Sequence, residues 1–166
     1  MWGDRQPGSF LTLHVRRSTD KGQTWSANDL LTVPNATNAA LAINSNSKVG
    51  LLYQQVVGSG AGQRWVTHLR RSPNGINWDD LILATVPATT PVKTFDPYIG
   101  DYDHLVAVGQ IFFGIFSANN SPNTANFPNG VIYQRNANFV THTLLNVNNV
   151  TPVAVSIDPF FFKIPG

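Results

Sequence analysis

Apolar positions along this chain come in short runs, alternating with polar positions and broken by clusters of Gly, Asn, Ser and Pro. Nowhere does the pattern hold the 3.6-residue period of an amphipathic helix for long. The runs at 10–17, 29–33, 39–43, 48–57, 64–71 and 81–86 read as strands, as do those at 104–108, 111–117, 131–135, 139–145 and 153–157. The last is followed by Asp158-Pro159-Phe160-Phe161-Phe162. Turn residues punctuate the gaps, which predicts an all-β fold of antiparallel strands.

Composition strengthens this reading. All nine acidic residues are aspartates, and the chain has no glutamate. Charged residues make up 12% of the sequence, whereas Gly and Pro supply 13 and 11 residues. A soluble helical protein draws on Glu, Lys and Ala for its exposed faces, so a helix bundle or coiled coil is excluded. A length of 166 residues with 42% hydrophobic content suits one domain with a sizeable core. The net charge of +2, without any run of like charge, leaves no footprint for nucleic acid. The absence of cysteine removes disulfides, thiolate metal sites and a Cys nucleophile. No apolar run approaches the roughly 18 residues of a membrane span. The first residues lack the apolar stretch of a signal peptide, so any export signal is expected to have been removed or to belong to a longer parent chain.

Self-comparison reveals a repeat. His14-Val15-Arg16-Arg17-Ser18 recurs as His68-Leu69-Arg70-Arg71-Ser72. Asp20-Lys21-Gly22-Gln23-Thr24-Trp25 then matches Asn74-Gly75-Ile76-Asn77-Trp78, one residue shorter, and Thr32-Val33-Pro34 matches Thr85-Val86-Pro87. Each copy reads as strand, tight turn, strand. An Asp or Asn side chain can bond backbone N–H groups within such a turn, and Gly supplies a positive φ. The Trp is expected to bury its ring and fix the turn against the sheet.

This unit resembles the Asp box, or BNR repeat, of sialidase-like β-propellers, whose pattern is Ser-x-Asp-(x)-Gly-x-Thr-Trp. Ser18, Asp20, Gly22, Thr24 and Trp25 match it fully. Ser72, Asn74, Gly75 and Trp78 match a degenerate form, with Asn77 in place of Thr. A third copy has decayed to Arg135-Asn136-Ala137-Asn138-Phe139, and 95–102 is similar to a stretch entering the inner strand of bacterial BNR blades. The resemblance implies a partial β-propeller of about three four-stranded antiparallel blades, within one domain over 1–166. Residues 1–38 would form a half blade, 39–94 and 95–149 two blades, and 150–166 a closing strand. It also places the boxes on the outer rim, between the third and fourth strands of a blade, in a structural role. Closed propellers need 4–8 blades. The chain is therefore expected to be part of a longer protein, or a protomer whose homo-oligomer completes the ring.

Candidate chemistry gathers in one place. Asp96, Tyr98, Asp101, Tyr102, Asp103 and His104 bring carboxylates, phenols and an imidazole within nine residues, suited to a sugar or to acid–base work. The plainer reading makes Asp96 a turn residue and Asp101 a backbone cap. Asp101 and Asp103 fall short of the oxygen ligands that Ca²⁺ requires, so no metal and no cofactor are expected. Arg64 is a candidate for a carboxylate partner, whereas Arg16, Arg17, Arg70 and Arg71 immediately precede the boxes. His14 and His68 hold equivalent repeat positions and read as packing. The glycines at 58, 60 and 62 lack the Lys and helix of a phosphate-binding loop. Three N-glycosylation patterns, at Asn35, Asn119 and Asn149, match chance in so Asn-rich a chain.

The absent glutamate bears on activity. A sialidase pairs its nucleophilic Tyr with a Glu, so the family's full catalytic set does not lie in these residues. The preferred expectation is a non-catalytic module binding glycan or protein partners, aided by exposed aromatics such as Trp2, Trp65 and Phe127. The alternative is the C-terminal half of an exo-sialidase or related glycoside hydrolase, completed by missing residues or a second chain. A structural scaffold is a third reading. An Asn-rich, Glu-free surface points to an extracellular or secreted setting.

Overall fold

The computed structural model describes residues 1–5, 11–92, 98–133 and 135–166. Thirteen strands run through them in chain order: β1 Trp2–Arg5, β2 Leu11–Val15, β3 Leu31–Val33, β4 Ala36–Ile43, β5 Val49–Val57, β6 Arg64–Ser72, β7 Asp79–Pro87, β8 His104–Val108, β9 Ile111–Asn119, β10 Val131–Ile132, β11 Ala137–Asn138, β12 Thr143–Leu144 and β13 Ile157–Pro165. Two single turns of 3₁₀ helix, Gly60–Gly62 and Thr124–Asn126, are the only helical pieces among the described residues. The strands form three antiparallel sheets, none closed on itself, and one small hairpin. The first sheet is β1-β2-β3, the second β4-β5-β6-β7 and the third β10-β13-β9-β8.

The second sheet matches the sequence reading closely, as a meander in which each strand pairs with the next in the chain. Its strand β5 shows why the sheets stack. Leu51 and Tyr53 on one face join Leu13, Val15 and Val33 of the first sheet in a buried cluster. Leu52 and Val56 on the other face join Phe112, Phe116, Phe160 and Phe162 of the third. Alternation with period two thus sends successive apolar residues into two different cores. The second sheet lies between the other two, buried on both faces.

Gly50 marks where the second and third sheets press together. A β-carbon placed there would lie 2.6 Å from the ring of Phe112. Gly50→Ala is expected to cost about 1–3 kcal/mol, as overpacking of a filled core does. Urea titration would reveal it as a lower midpoint with an unchanged slope.

Elsewhere the expected strands need correction. Trp2–Arg5 is a strand that the pattern did not reveal, so the first sheet has three strands rather than two. The expected strands at 131–135 and 139–145 shrink to two-residue strands. The final strand is not 153–157 but Ile157–Pro165, which pairs with β9 over nine residues and separates it from β10. The physical reason is apolar content. Phe160, Phe162 and Ile164 offer a continuous buried face. In the 133–156 region, by contrast, Asn138 and Asn148 bond the backbone N–H groups of Val140, Thr141, Val150 and Thr151, which favours turns.

Both box turns are built as their chemistry requires. The Ser18 hydroxyl donates to Asp20 at 2.7 Å and accepts from the Gly22 N–H. Asp20 also accepts from the backbone N–H of Thr24 at 2.9 Å and from its hydroxyl. These bonds to the charged form, led by the Thr24 hydroxyl, hold the Asp20 carboxyl at about 2. In the second turn Ser72 bonds Asn74 and the Gly75 N–H, and Asn74 accepts from the N–H groups of Ile76 and Asn77. The tryptophans differ. Trp78 packs against the cluster between the first and second sheets. Trp25, expected to be buried, is 57% exposed. The second sheet's face beneath Trp78 is covered by the first sheet, whereas the matching face of the first sheet has no sheet over it among the described residues.

Candidate functional site

A small pocket opens where the three sheets meet. The end of β1 contributes Arg5, the start of β2 Leu11, and the start of β4 Thr37 and Asn38. Trp65 comes from β6, and Tyr98, Ile99, Gly100 and Asp101 from the segment before β8. Its volume is about 140 Å³.

Asn38 is aimed by a local irregularity. The pairing of β4 with β5 shifts register between Thr37 and Ala40, and Asn38 adopts a positive φ of 53°. Bulges of this kind redirect side chains and recur beside functional sites. The Asn38 amide donates to the Gly100 carbonyl at 2.5 Å and to the side-chain oxygen of Gln54 at 2.8 Å. Gln54 is fully buried and donates in turn to the Thr67 hydroxyl and the Ser117 carbonyl. This satisfied buried network fixes the pocket floor to both the second and third sheets.

The sequence cluster around residue 100 separates in three dimensions. Tyr98 and Asp101 line the pocket. Tyr102 points to solvent, 81% exposed. His104 is exposed at the start of β8, opposite Ile115. Asp96 lies outside the described residues. Arg64 is exposed at the start of β6 and does not line the pocket. The cation there is Arg5, which the sequence reading missed because no strand was expected at β1.

Asp103 is set apart by burial. Its Oδ1 accepts only a long bond from the Ser117 N–H, at 3.4 Å, and its Oδ2 is buried with no hydrogen-bond partner among the described residues. Loss of hydration pushes its carboxyl up to about 8, offset only slightly by the Ser117 N–H. At neutral pH it is mainly a neutral acid that holds a proton. No group of three or more His or Asp residues able to hold a metal occurs among the described residues.

Of the expected exposed aromatics, Trp65 is buried and Phe127 half-buried. Trp65 is 3% exposed, in the core shared with the third sheet. Phe127 stacks on Phe160 at 4.6 Å between ring centres. Trp2 is exposed as expected, and its surroundings repeat. It stacks on His14 at 5.0 Å, His14 Nδ1 lies 2.7 Å from Asp29, and Arg16 reaches both Asp29 and the Trp2 ring. In the second sheet Tyr53 stacks on His68 at 4.7 Å, His68 lies 3.0 Å from Asp80, and Arg70 reaches both Asp80 and the Tyr53 ring. The hydrogen bond to Asp29 raises the His14 imidazole, against the opposing effect of burial. The structural repeat thus extends to an aromatic on the preceding strand, Trp2 or Tyr53, and an acid just before or at the start of the following one, Asp29 or Asp80. Sequence comparison passed over the aromatics because Trp and Tyr differ, and over the acids because Asp29 stands four residues after Trp25 but Asp80 only two after Trp78.

Comparison with known proteins returned no matching family model, no matching curated protein and no matching solved structure.

Proposed function

We propose that this chain is a sialidase-like BNR β-propeller module of about three blades that binds glycan and is non-catalytic by itself. The observation that carries the binding reading is the pocket in which Arg5, Asn38, Tyr98 and Asp101 converge on a rigid buried network. The Asn38 amide N–H groups are committed to that network, and the Arg5 fork, the Tyr98 phenol and the Asp101 carboxylate are the kinds of donor and acceptor that sugar hydroxyls or a sugar carboxylate require. The family part of the reading rests on the two Ser–Asx turns and their matched strands. A secreted setting and association with further copies of the chain belong to the same proposal.

Asp103 favours a second reading. A carboxylic acid held neutral at physiological pH is the form a glycosidase needs to protonate a leaving oxygen. On that reading the chain is the C-terminal half of a glycoside hydrolase, and residues outside it supply the rest of the catalytic set.

One experiment separates the two. Glycan-array binding and hydrolysis of a fluorogenic sialoside are measured for the wild type, Asp101→Ala and Asp103→Asn. The module reading expects array binding weakened at least about tenfold in Asp101→Ala, the scale of one lost charged contact, with no turnover by any of the three. Turnover by the wild type, abolished in Asp103→Asn, would replace the module with the enzyme. Absence of binding to every glycan on the array would remove the sugar.

A further inference from the structure

The two ends of the sheet stack carry different faces, and the chain itself shows how such faces fit together. At the first internal interface, the apolar face of the first sheet, with Leu13, Val15 and Val33, covers the face of the second sheet that bears Tyr53 and Leu51. His68 and Arg70 share that second face, since they pair directly with Tyr53 and Leu51 across the β5–β6 ladder. The equivalent of this covered face, one repeat earlier, carries Trp2, His14 and Arg16. It lies at the outer surface. Trp2 is 42% exposed, and an open groove of about 350 Å³ runs between Met1, Trp2, Arg16 and Trp25.

The opposite end of the stack offers the other half of the contact. The third sheet turns Phe112, Phe116, Phe160 and Phe162 towards the second. The alternate residues of the same strands therefore face outward. Among them Val106, Val108 and Ile115 are 40%, 64% and 38% exposed, flanked by Phe113 and Phe161. Lys163, over the Phe113 ring at 5.8 Å, and His104 at the edge share this face, whose remaining residues are the apolar kind that the first sheet presents to the second.

We infer that these two free faces dock on each other between two copies of the chain. The outward face of β8-β9-β13 in one copy covers the Trp2–His14–Arg16 face of the other, as the first sheet covers Tyr53 and His68 within the chain. On the propeller reading the three sheets turn through half a ring, so two copies related by a two-fold axis make this contact twice and bury both free faces of each. Trp25 then gains the cover that Trp78 has. The inference rests on the sheet-stacking part of the reading above and is independent of its glycan-binding part.

The test is sedimentation velocity at about 50 µM, with Trp2→Asp and Val108→Asp as the altered faces. The wild type is expected to sediment as a dimer, and each variant alone as a monomer. An equimolar mixture of the two variants should dimerise again, more weakly than the wild type, because one of its two contacts joins the unaltered face of each. That complementation separates a head-to-tail contact from a symmetric one. Circular dichroism confirms folding, and Trp25→Ser with Ile115→Ser replaces the pair if either variant fails to fold. A monomeric wild type, variants that still dimerise, or a mixture that stays monomeric would each overturn the proposal, and a ladder of larger assemblies would overturn the closed pair. Glycan binding by the Val108→Asp monomer would leave the glycan reading standing whatever the fate of the dimer.

Discussion

Replacing Phe160 with Ala is expected to cost about 3–5 kcal/mol, the range for deleting a fully buried ring. Phe160 is 1% exposed. Its ring contacts Phe116 at 6.0 Å, Phe127 at 4.6 Å and Tyr133 at 5.2 Å between centres, so it joins strand β9 to the segment before β10. Removing it leaves a cavity that three aromatic neighbours cannot close, since Phe116 is held in β9 and Tyr133 by its hydroxyl bond to the Asn120 carbonyl. Since small domains are stable by only about 5–15 kcal/mol, the loss is a large share of the total and should lower the unfolding midpoint markedly. The adjacent Phe161 makes the control. It sits on the outward face, pairs with Ile115 and Ile132, and lies 6.3 Å from Phe113. Phe161→Ala should cost about 1 kcal/mol in dilute solution. Chemical denaturation of both variants checks the alternation, and equal losses would refute the facing assigned to β13.

Asp103→Asn should stabilise the protein at neutral pH. The folded protein holds the Asp103 carboxyl at about 8, whereas an unfolded chain would release its proton near 3.8. Between these values the native state binds more protons than the unfolded state, so stability falls as pH rises. The contribution is fully favourable below about pH 4, declines through neutrality and is lost above about pH 8. Each pH unit corresponds to 1.36 kcal/mol, and solvent relaxation around the site reduces the sum to about 2–4 kcal/mol. The Asn variant removes this slope. The difference between wild-type and variant stability, measured by urea titration at pH 5, 6, 7 and 8, should therefore grow steadily with pH. His14, raised by Asp29, also makes stability fall with rising pH, but it is present in both proteins and cancels in the difference. A constant difference across that range would show that Asp103 is ionised throughout.

The local chemistry of the chain decided a good part of this structure. Alternating apolar residues with Gly and Asn between them specify β5, β6 and their turn, because strand period and turn geometry are properties of a few neighbouring residues. The Ser–Asx turns are similarly legible: Ser18 and Asp20, or Ser72 and Asn74, satisfy backbone donors within four residues of themselves. What needed the tertiary structure was competition and company. Whether 153–157 or the Phe-rich segment after it entered the third sheet depended on which could fill the core beside Gly50 and Gly114, a choice invisible to local pattern. Asp101 and Asp103 are two residues apart with the same chemistry, yet one lines a pocket and the other lies half-buried against Ser117 with its Oδ2 shut away and a raised pKa, because desolvation depends on what other strands bring close. Trp25 and Trp78 occupy the same place in the same motif, and only the stacking of sheets left one bare and covered the other.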